Sequence, residues 1–281
     1  MEIRTDLAME AHDIARRENK GEIDGITSQT NCIGDVKITR VNITSDDAAQ
    51  KIGKSCGSYI TIEAPYINYS LDDYELAIKL ISHELTEMTD NSERESALIA
   101  GLGNRSITPD SLGCCVVDNI LVTRKMESFF DNKINSVSAV APGVLVTTGI
   151  ETVDIIKGIV EKTSPKLVIA IDALAAADIS RVANTIQIAD TGIQPGAGVG
   201  NNRKGLNKET LGVKVIAIGV PTVIDARTIS KVPLPEELSP MTVTTKDIDI
   251  VIEKMSKVVA DGINTALHPD LTLREISELI V

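Results

Sequence analysis

The sequence predicts an α/β fold: a mostly parallel central sheet flanked by helices, with a smaller N-terminal subdomain. Three observations carry this. Almost wholly apolar runs such as "KLVIAIDALA" (166–175) and "VKVIAIGVPTVID" (213–225) read as strands buried on both faces. Segments with helical apolar spacing separate such runs. Aromatic residues make up 2% of the 281 residues and Trp is absent, so the core must be built from Ile, Val, Leu and Ala, which suit buried parallel strands.

Taken in order, residues 5–19 read as a helix, with Thr5 or Asp6 as N-cap and Leu7, Ala8, Ala11, Ile14 and Ala15 on its apolar side. "DVKITRVNI" (35–43) alternates as a strand does, and "SYITIEAP" (58–65) is a second strand. From Asp72 to about Met88 the apolar residues Tyr74, Ala77, Ile78, Ile81 and Leu85 fall at helical spacing. The pattern changes near residue 96. "SALIAG" is a short strand, and the loop "GLGNRSITPDSLG" (101–113) leads into a helix over about 110–123. "VSAVAPG" (137–143) is a strand, about 150–162 a helix, 166–175 a strand, "TIQIAD" (185–190) a further strand, and 213–225 the last strong one. A final helix starts at Thr245. This divides the chain into an N-terminal α/β subdomain over 1–95 and an α/β catalytic core over 96–281, unless the two form one continuous domain.

Composition excludes several classes. Hydrophobic content of 43% and charged content of 24% are ordinary for a globular chain. The net charge of −12 lacks the basic footprint of a nucleic-acid surface, so no direct nucleic-acid partner is expected. The four cysteines, Cys32, Cys56, Cys114 and Cys115, have no C-x-x-C spacing, and buried free thiols in a reducing cytosol are expected. "MEIRTDLAMEAHD" carries charge where a signal peptide needs an apolar stretch, and no run of 18 apolar residues exists, so a cytoplasmic chain with no membrane partner is expected.

Candidate chemistry gathers where strands end. In open α/β sheets, ligands bind at the carboxyl ends of strands. Asp110 follows strand 96–101, and Asp172 ends the run Leu167-Val168-Ile169-Ala170-Ile171. Asp190 ends "TIQIAD", and Asp225 ends "GVPTVID". A carboxylate at a strand end also serves as the N-cap of the next helix. Asp172 stands apart because apolar residues surround it, so it must be desolvated or paired, and its pKa should be perturbed. Two facing carboxylates can share a proton, one acting as base on a water and the other as acid. That permits amide hydrolysis without Ser, Cys or zinc. Competing signals are thin. "HELTE" (83–87) lacks the second His of H-E-x-x-H, and three histidines, His12, His83 and His268, poorly supply a Ser-His-Asp or Cys-His site. "GAGVG" (196–200) matches no complete phosphate loop.

Seven stretches together resemble the germination protease family of spore-forming bacteria: "RTDLAMEA" (4–11), "GLGNRSITPDSLG" (101–113), "LVTR" (121–124), "APGVLVTTGIETVDIIKGIVEK" (141–162), "AIDALAA" (170–176), "TIQIADTGIQPGAGVGNNRKGLNKETLG" (185–212) and "VIAIGVPTVIDA" (215–226). The resemblance keeps the motif order over essentially the whole chain. It implies an endopeptidase that degrades small acid-soluble spore proteins at germination, made as a self-cleaving zymogen with a short N-terminal pro-segment, acting as a homotetramer in the spore cytoplasm. It implies an aspartic-type site with two catalytic residues, Asp110 and Asp172; no cofactor or metal is expected. The fold it implies is similar to hydrogenase-maturation peptidases. Gly101, Gly103, Asn104, Asp190 and Gln194 are then expected to form the substrate cleft, Gly101 and Gly103 by letting the chain turn sharply. Gln194 stands where the family often carries His, which favours the carboxylate pair. The family's substrates are cut after an acidic residue in "T-E-I-A-S-E", so "T-D-L-A-M-E" (5–10) implies self-cleavage between Asp6 and Leu7. Mild acid would then fray the first helical turn by weakening caps such as Asp6. Two other readings stand beside this one: a metal-dependent or maturation-type peptidase with Asp110 and Asp172 as ligands, and a nucleotide-binding regulatory module using the loop 192–205.

Overall fold

The structure, a computed structural model, describes residues 5–19, 21–89, 96–126, 134–194, 204–230, 235 and 241–280. In chain order the elements are α1 (Ala8–Asn19), β1 (Ile26–Ile33), β2 (Val36–Ile43), α2 (Asp46–Ile52), β3 (Gly57–Glu63), α3 (Leu71–Met88), β4 (Ser96–Gly101) and α4 (Leu112–Val117). They continue as β5 (Ser136–Val140), α5 (Leu145–Thr148), α6 (Thr152–Thr163), β6 (Leu167–Ala176), β7 (Thr185–Ala189), α7 (Lys208–Leu211), β8 (Lys214–Asp225), α8 (Ala226–Ile229), β9 (Thr242–Val243), α9 (Ile248–Leu267) and α10 (Leu273–Leu279).

The described strands form one sheet in the order β1-β2-β3-β7-β8-β6-β4-β5, with β9 paired to β8. The expected α/β architecture is present, and its sheet is mixed. β5, β4, β6 and β8 run parallel. β7, β3, β2 and β1 add to β8 in antiparallel fashion. The strands of residues 1–95 therefore join the sheet of the later residues through the β3–β7 pairing.

Sequence pattern explains each strand's place. β6 is buried at nine of ten positions, as a strand covered on both faces must be. Along β4 and β6, alternate residues enter opposite cores: Ile99 and Ile169 pack with α3 and α9 residues, whereas Leu98, Ala100, Val168 and Ala170 pack with Val153, Ile156 and Val160 of α6. β2 alternates and is half-buried. β1, "ITSQTNCI", is exposed at every position after Ile26, and its polar residues suit an outer strand. That polarity hid β1 from a reading based on apolar runs. The short helices α2 and α10 were hidden for want of enough turns to show a period.

Two boundaries differ from expectation for visible reasons. The helix expected over 110–123 is a 3-10 turn, Thr108–Asp110, followed by the six-residue α4. Its continuation is pulled away by α9: Leu121 N–H donates to Asn264 Oδ1 at 3.0 Å, and Asn264 Nδ2 donates to the Asn119 carbonyl at 2.9 Å. At the N-terminus the helix starts at Ala8, which leaves residues 5–7 outside it. The thiols also depart from expectation, since Cys114 is buried and Cys115 half-buried but Cys32 and Cys56 are exposed.

Candidate active site

A register row sets the floor of the site. Thr39 faces Thr61, Thr61 faces Gln187, Gln187 faces Gly219, and Gly219 faces Asp172. Paired residues project to one face of a sheet, so this row shares a face. Arg40, the next residue along β2, points to the other face and pairs with the buried Glu84 of α3. Asp172 lies inside β6, not at its end, because the strand runs on to Ala176. The neighbouring β4 stops at Gly101, which pairs with Ile171. Asp172 is thus the first residue of β6 beyond the end of β4, where the chain that carries Asp110 departs. It is 6% exposed, and its Oδ1 accepts the Ala173 N–H at 3.0 Å.

The loop after β4 is braced around Asp110. Asn104 N–H donates to both the Asp110 carbonyl, at 3.0 Å, and Asp110 Oδ2, at 2.8 Å. Thr222 Oγ1 donates to the Pro109 carbonyl at 2.7 Å, tying the turn to β8. Gly103 has φ +97°, and a Cβ there would come within 2.0 Å of the Asp110 carbonyl oxygen. Only glycine fits that conformation and that approach. The Asp110 carboxylate therefore closes its own loop. The cap position of α4 falls on Ser111, which makes no side-chain cap bond.

One cavity of about 680 Å³ opens over this floor, and Asp6, Gly103, Asn104, Asp110, Asp172 and Gln194 all line it. Gly101, Asp190 and Leu7 lie outside the lining. Gly101 sits where β4 meets α4, with Gly113 against it. Asp190 is exposed and accepts the Ser58 N–H at 2.8 Å, so it braces the end of β3. Leu7 is fully buried in the core. Among the described residues the cavity is lined by no His and no Cys, and no group of three His, Cys, Asp or Glu side chains is placed to hold a metal. The stretch 196–200, read as a thin phosphate-loop match, lies outside the described residues. No described helix is long and apolar enough to cross a membrane.

Of residues 5–7, Asp6 lines this cavity, at a bend of the chain where Leu7 N–H donates back to Thr5 Oγ1 at 3.0 Å. Asp6 N–H donates to the Ala175 carbonyl at 2.9 Å, and Ala175 N–H donates to Asp6 Oδ2 at 2.8 Å. The Asp6 carboxylate thus binds β6 and does not cap α1. Lys54 Nζ donates to the Thr5 carbonyl at 3.2 Å and the Asp6 carbonyl at 3.0 Å. Lys54 reaches there because Gly53, at φ +64°, ends α2 in a left-handed cap that reverses the chain. Gln187 spans the next peptide: its Nε2 donates to the Asp6 carbonyl at 3.2 Å, and its Oε1 accepts the Ala8 N–H at 2.7 Å. Burial pushes the Asp6 carboxyl above its ordinary value, against the pull of Lys54 and the Ala175 N–H. Burial pulls the Lys54 ammonium below its ordinary value, against Asp6 and Glu10.

Glu10 anchors the segment from α1. It is 3% exposed, and its carboxylate accepts the N–H groups of Ala177 at 2.6 Å and Asp178 at 3.0 Å, and Arg181 Nη1 at 3.0 Å. Lys54 and Gln187 escaped the sequence reading. The available signal was Gln187 itself, one amide in the otherwise apolar or hydroxyl-bearing run "TIQIA".

The family described as germination protease matches residues 3–234. A germination protease of Clostridium perfringens is 39% identical over an alignment covering 99% of this chain and 99% of that one. The germination protease of Caldanaerobacter subterraneus subsp. tengcongensis is 42% identical, over 99% of this chain and 98% of that one. Among solved structures, the [NiFe] hydrogenase maturation protease HycI of Thermococcus kodakarensis is 19% identical, covering 64% of this chain and 97% of that one at a TM-score of 0.37. With the family match extending over most of the sequence and near-full-length relatives at about 40% identity, the chain belongs to the germination protease family.

Proposed function

We propose that this protease is an aspartic-type endopeptidase that begins the degradation of small acid-soluble spore proteins in the germinating spore. In this reading Asp110 and Asp172 are its acid–base pair, and the chain is made as a zymogen that cuts its own bond between Asp6 and Leu7. The observation that carries the reading is that Asp6, Asp110 and Asp172 line one cavity, where Asp6 is held through its carboxylate by the Ala175 N–H and through its carbonyl by Lys54. A protease needs its substrate chain inside its cleft, and of residues 5–7 Asp6 lies there.

The chemistry follows from two carboxyl groups sharing one proton. The ionised member takes a proton from water as the water adds to the scissile carbonyl. The protonated member donates to the departing amide nitrogen. The cavity volume leaves room for a peptide and a water. The reading includes a homotetramer in the spore core, which light scattering tests as four chain masses. The metal-dependent alternative separates by chelation: the carboxylate pair works unchanged in excess chelator, whereas a metal peptidase stops.

The test is incubation of the purified chain with a small acid-soluble spore protein, with fragment masses read out. The expected first cut follows an acidic residue that precedes an aliphatic residue and Ala. A substrate left whole by chain that has already processed itself overturns the substrate assignment.

A further inference from the structure

The peptide between Asp6 and Leu7 is gripped at its carbonyl by two side chains outside the proposed carboxylate pair. Lys54 Nζ and Gln187 Nε2 both donate to the Asp6 carbonyl oxygen, at 3.0 and 3.2 Å. They come from different elements, one from the turn after α2 and the other from mid-β7. Both also line the cavity that Asp110 and Asp172 line. Gln187 stands in the same register row as Asp172, with the side-chain-free Gly219 between them. A carbonyl held by two donors, one of them a cation, on the same sheet face as a carboxylate has the arrangement of a site that stabilises a developing oxyanion.

We infer that Lys54 and Gln187 are catalytic residues of the self-cleavage reaction, forming the donor pair that receives the oxyanion at the Asp6 carbonyl. The inference rests on the proposed cut between Asp6 and Leu7. Water adds to the Asp6 carbonyl carbon, and one of its protons passes to the ionised carboxylate of the pair. The C=O π electrons move onto the oxygen held by Lys54 and Gln187. On collapse the carbonyl re-forms, the C–N bond breaks, and the nitrogen of Leu7 takes a proton from the protonated carboxyl. The products are the Asp6 α-carboxylate and the Leu7 amine, and no reactant besides water is consumed. Gln187 adds alignment, because its Oε1 holds the Ala8 N–H while its Nε2 holds the Asp6 carbonyl. The two atoms bracket Leu7.

The test follows the rate at which full-length chain gains a Leu7 N-terminus, by mass spectrometry, in wild type, Lys54→Met, Lys54→Arg and Gln187→Glu. Loss of one oxyanion donor typically slows the reaction about 100- to 1000-fold. Lys54→Met is expected to fall by that much, Lys54→Arg to recover part of it, and Gln187→Glu, which keeps the acceptor and loses the donor, to fall at least about tenfold. Hydrogen exchange at Ala175 is the control. Its amide donates to the Asp6 carboxylate, so unchanged protection shows that the segment is still docked. Lys54→Met cutting at the wild-type rate overturns the inference and leaves the cut itself standing. Wild-type chain that digests spore protein without ever gaining a Leu7 terminus removes the proposed cut, and the inference with it. If Lys54→Met does not fold, Gln187→Glu decides: a wild-type rate there overturns the donor pair.

Discussion

Asp172 and Gln187 stand opposite the same residue, Gly219, on the two strands that flank it. Their side chains therefore rise from one face of the sheet, two strand spacings or roughly 10 Å apart, with no side chain from the strand between them. The cavity lies over this row, and Asp6, which lines it, is bound both by Gln187 and by Ala175 of β6. A buried carboxylate and a peptide-holding amide are thus fixed to one rigid sheet, and the loop with Asp110 closes over its end.

Gly103→Ala tests whether the loop geometry matters. The substitution forces a Cβ to within 2.0 Å of the Asp110 carbonyl oxygen at φ +97°. The loop must shift, and Asp110 with it. Expected losses are about 1–3 kcal/mol of stability and most of the peptidase activity. Thermal melting and the rate on a spore protein check this together. Full activity in the Ala variant would show that the position of Asp110 is immaterial.

The pH response of the N-terminal segment has a defined sign. Burial raises the folded-state pKa of Asp6. Stability from such a group is fully present below the ordinary carboxylate pKa and is lost as pH rises through the raised value. Through Asp6, acidification from neutral pH therefore tightens the docking of residues 5–10, while the lowered Lys54 ammonium contributes in the opposite sense. This reverses the expectation that mild acid frays the segment through Asp6, and the reason is that Asp6 binds Ala175 instead of capping α1. On going from neutral to mildly acidic pH, protection of this segment against an added protease should rise more, or fall less, in the wild type than in Asp6→Asn. A difference of opposite sign contradicts the assignment.

Glu10→Ala should release the same segment by another route. The change orphans the N–H groups of Ala177 and Asp178 and removes one partner of the half-buried Arg181. Breaking such a buried arrangement costs about 3 kcal/mol. A lowered melting temperature and new protease sensitivity near residue 10 are expected, with Glu10→Gln intermediate. Full burial of Leu7, which contributes roughly 1.5–3 kcal/mol, opposes complete release.

Much of this arrangement was legible in the sequence where burial is strong. The apolar runs of β4, β6 and β8 announce strands covered on both faces, and the lone carboxylate Asp172 inside one of them lines the cavity. What was not legible depends on pairing across long sequence distances. The antiparallel half of the sheet comes from β3 meeting β7, residues 59–63 against 185–189, which no local period encodes. Lys54 is an ordinary surface lysine until α2 and Gly53 aim it at Asp6. Asp190 resembles a site residue because it ends a strand, and the fold uses it to hold the Ser58 amide. The N-terminal helix was legible, but its start was not, because the bonds that keep residues 5–7 out of it come from Ala175, Lys54 and Gln187.

The central claim is that the buried carboxylate of Asp172 cuts the chain's own bond between Asp6 and Leu7, and Asp172→Asn tests it most directly. Asn keeps the volume and can still accept the Ala173 N–H, but it cannot exchange a proton near neutral pH. Both chains are incubated alone at high purity, and intact masses are followed with time. The account predicts that wild type loses its first six residues and gains a Leu7 terminus. It predicts that the variant, folded and melting near the wild-type temperature, is slowed at least about 100-fold. A folded Asp172→Asn chain that gains the same terminus at the wild-type rate would contradict it.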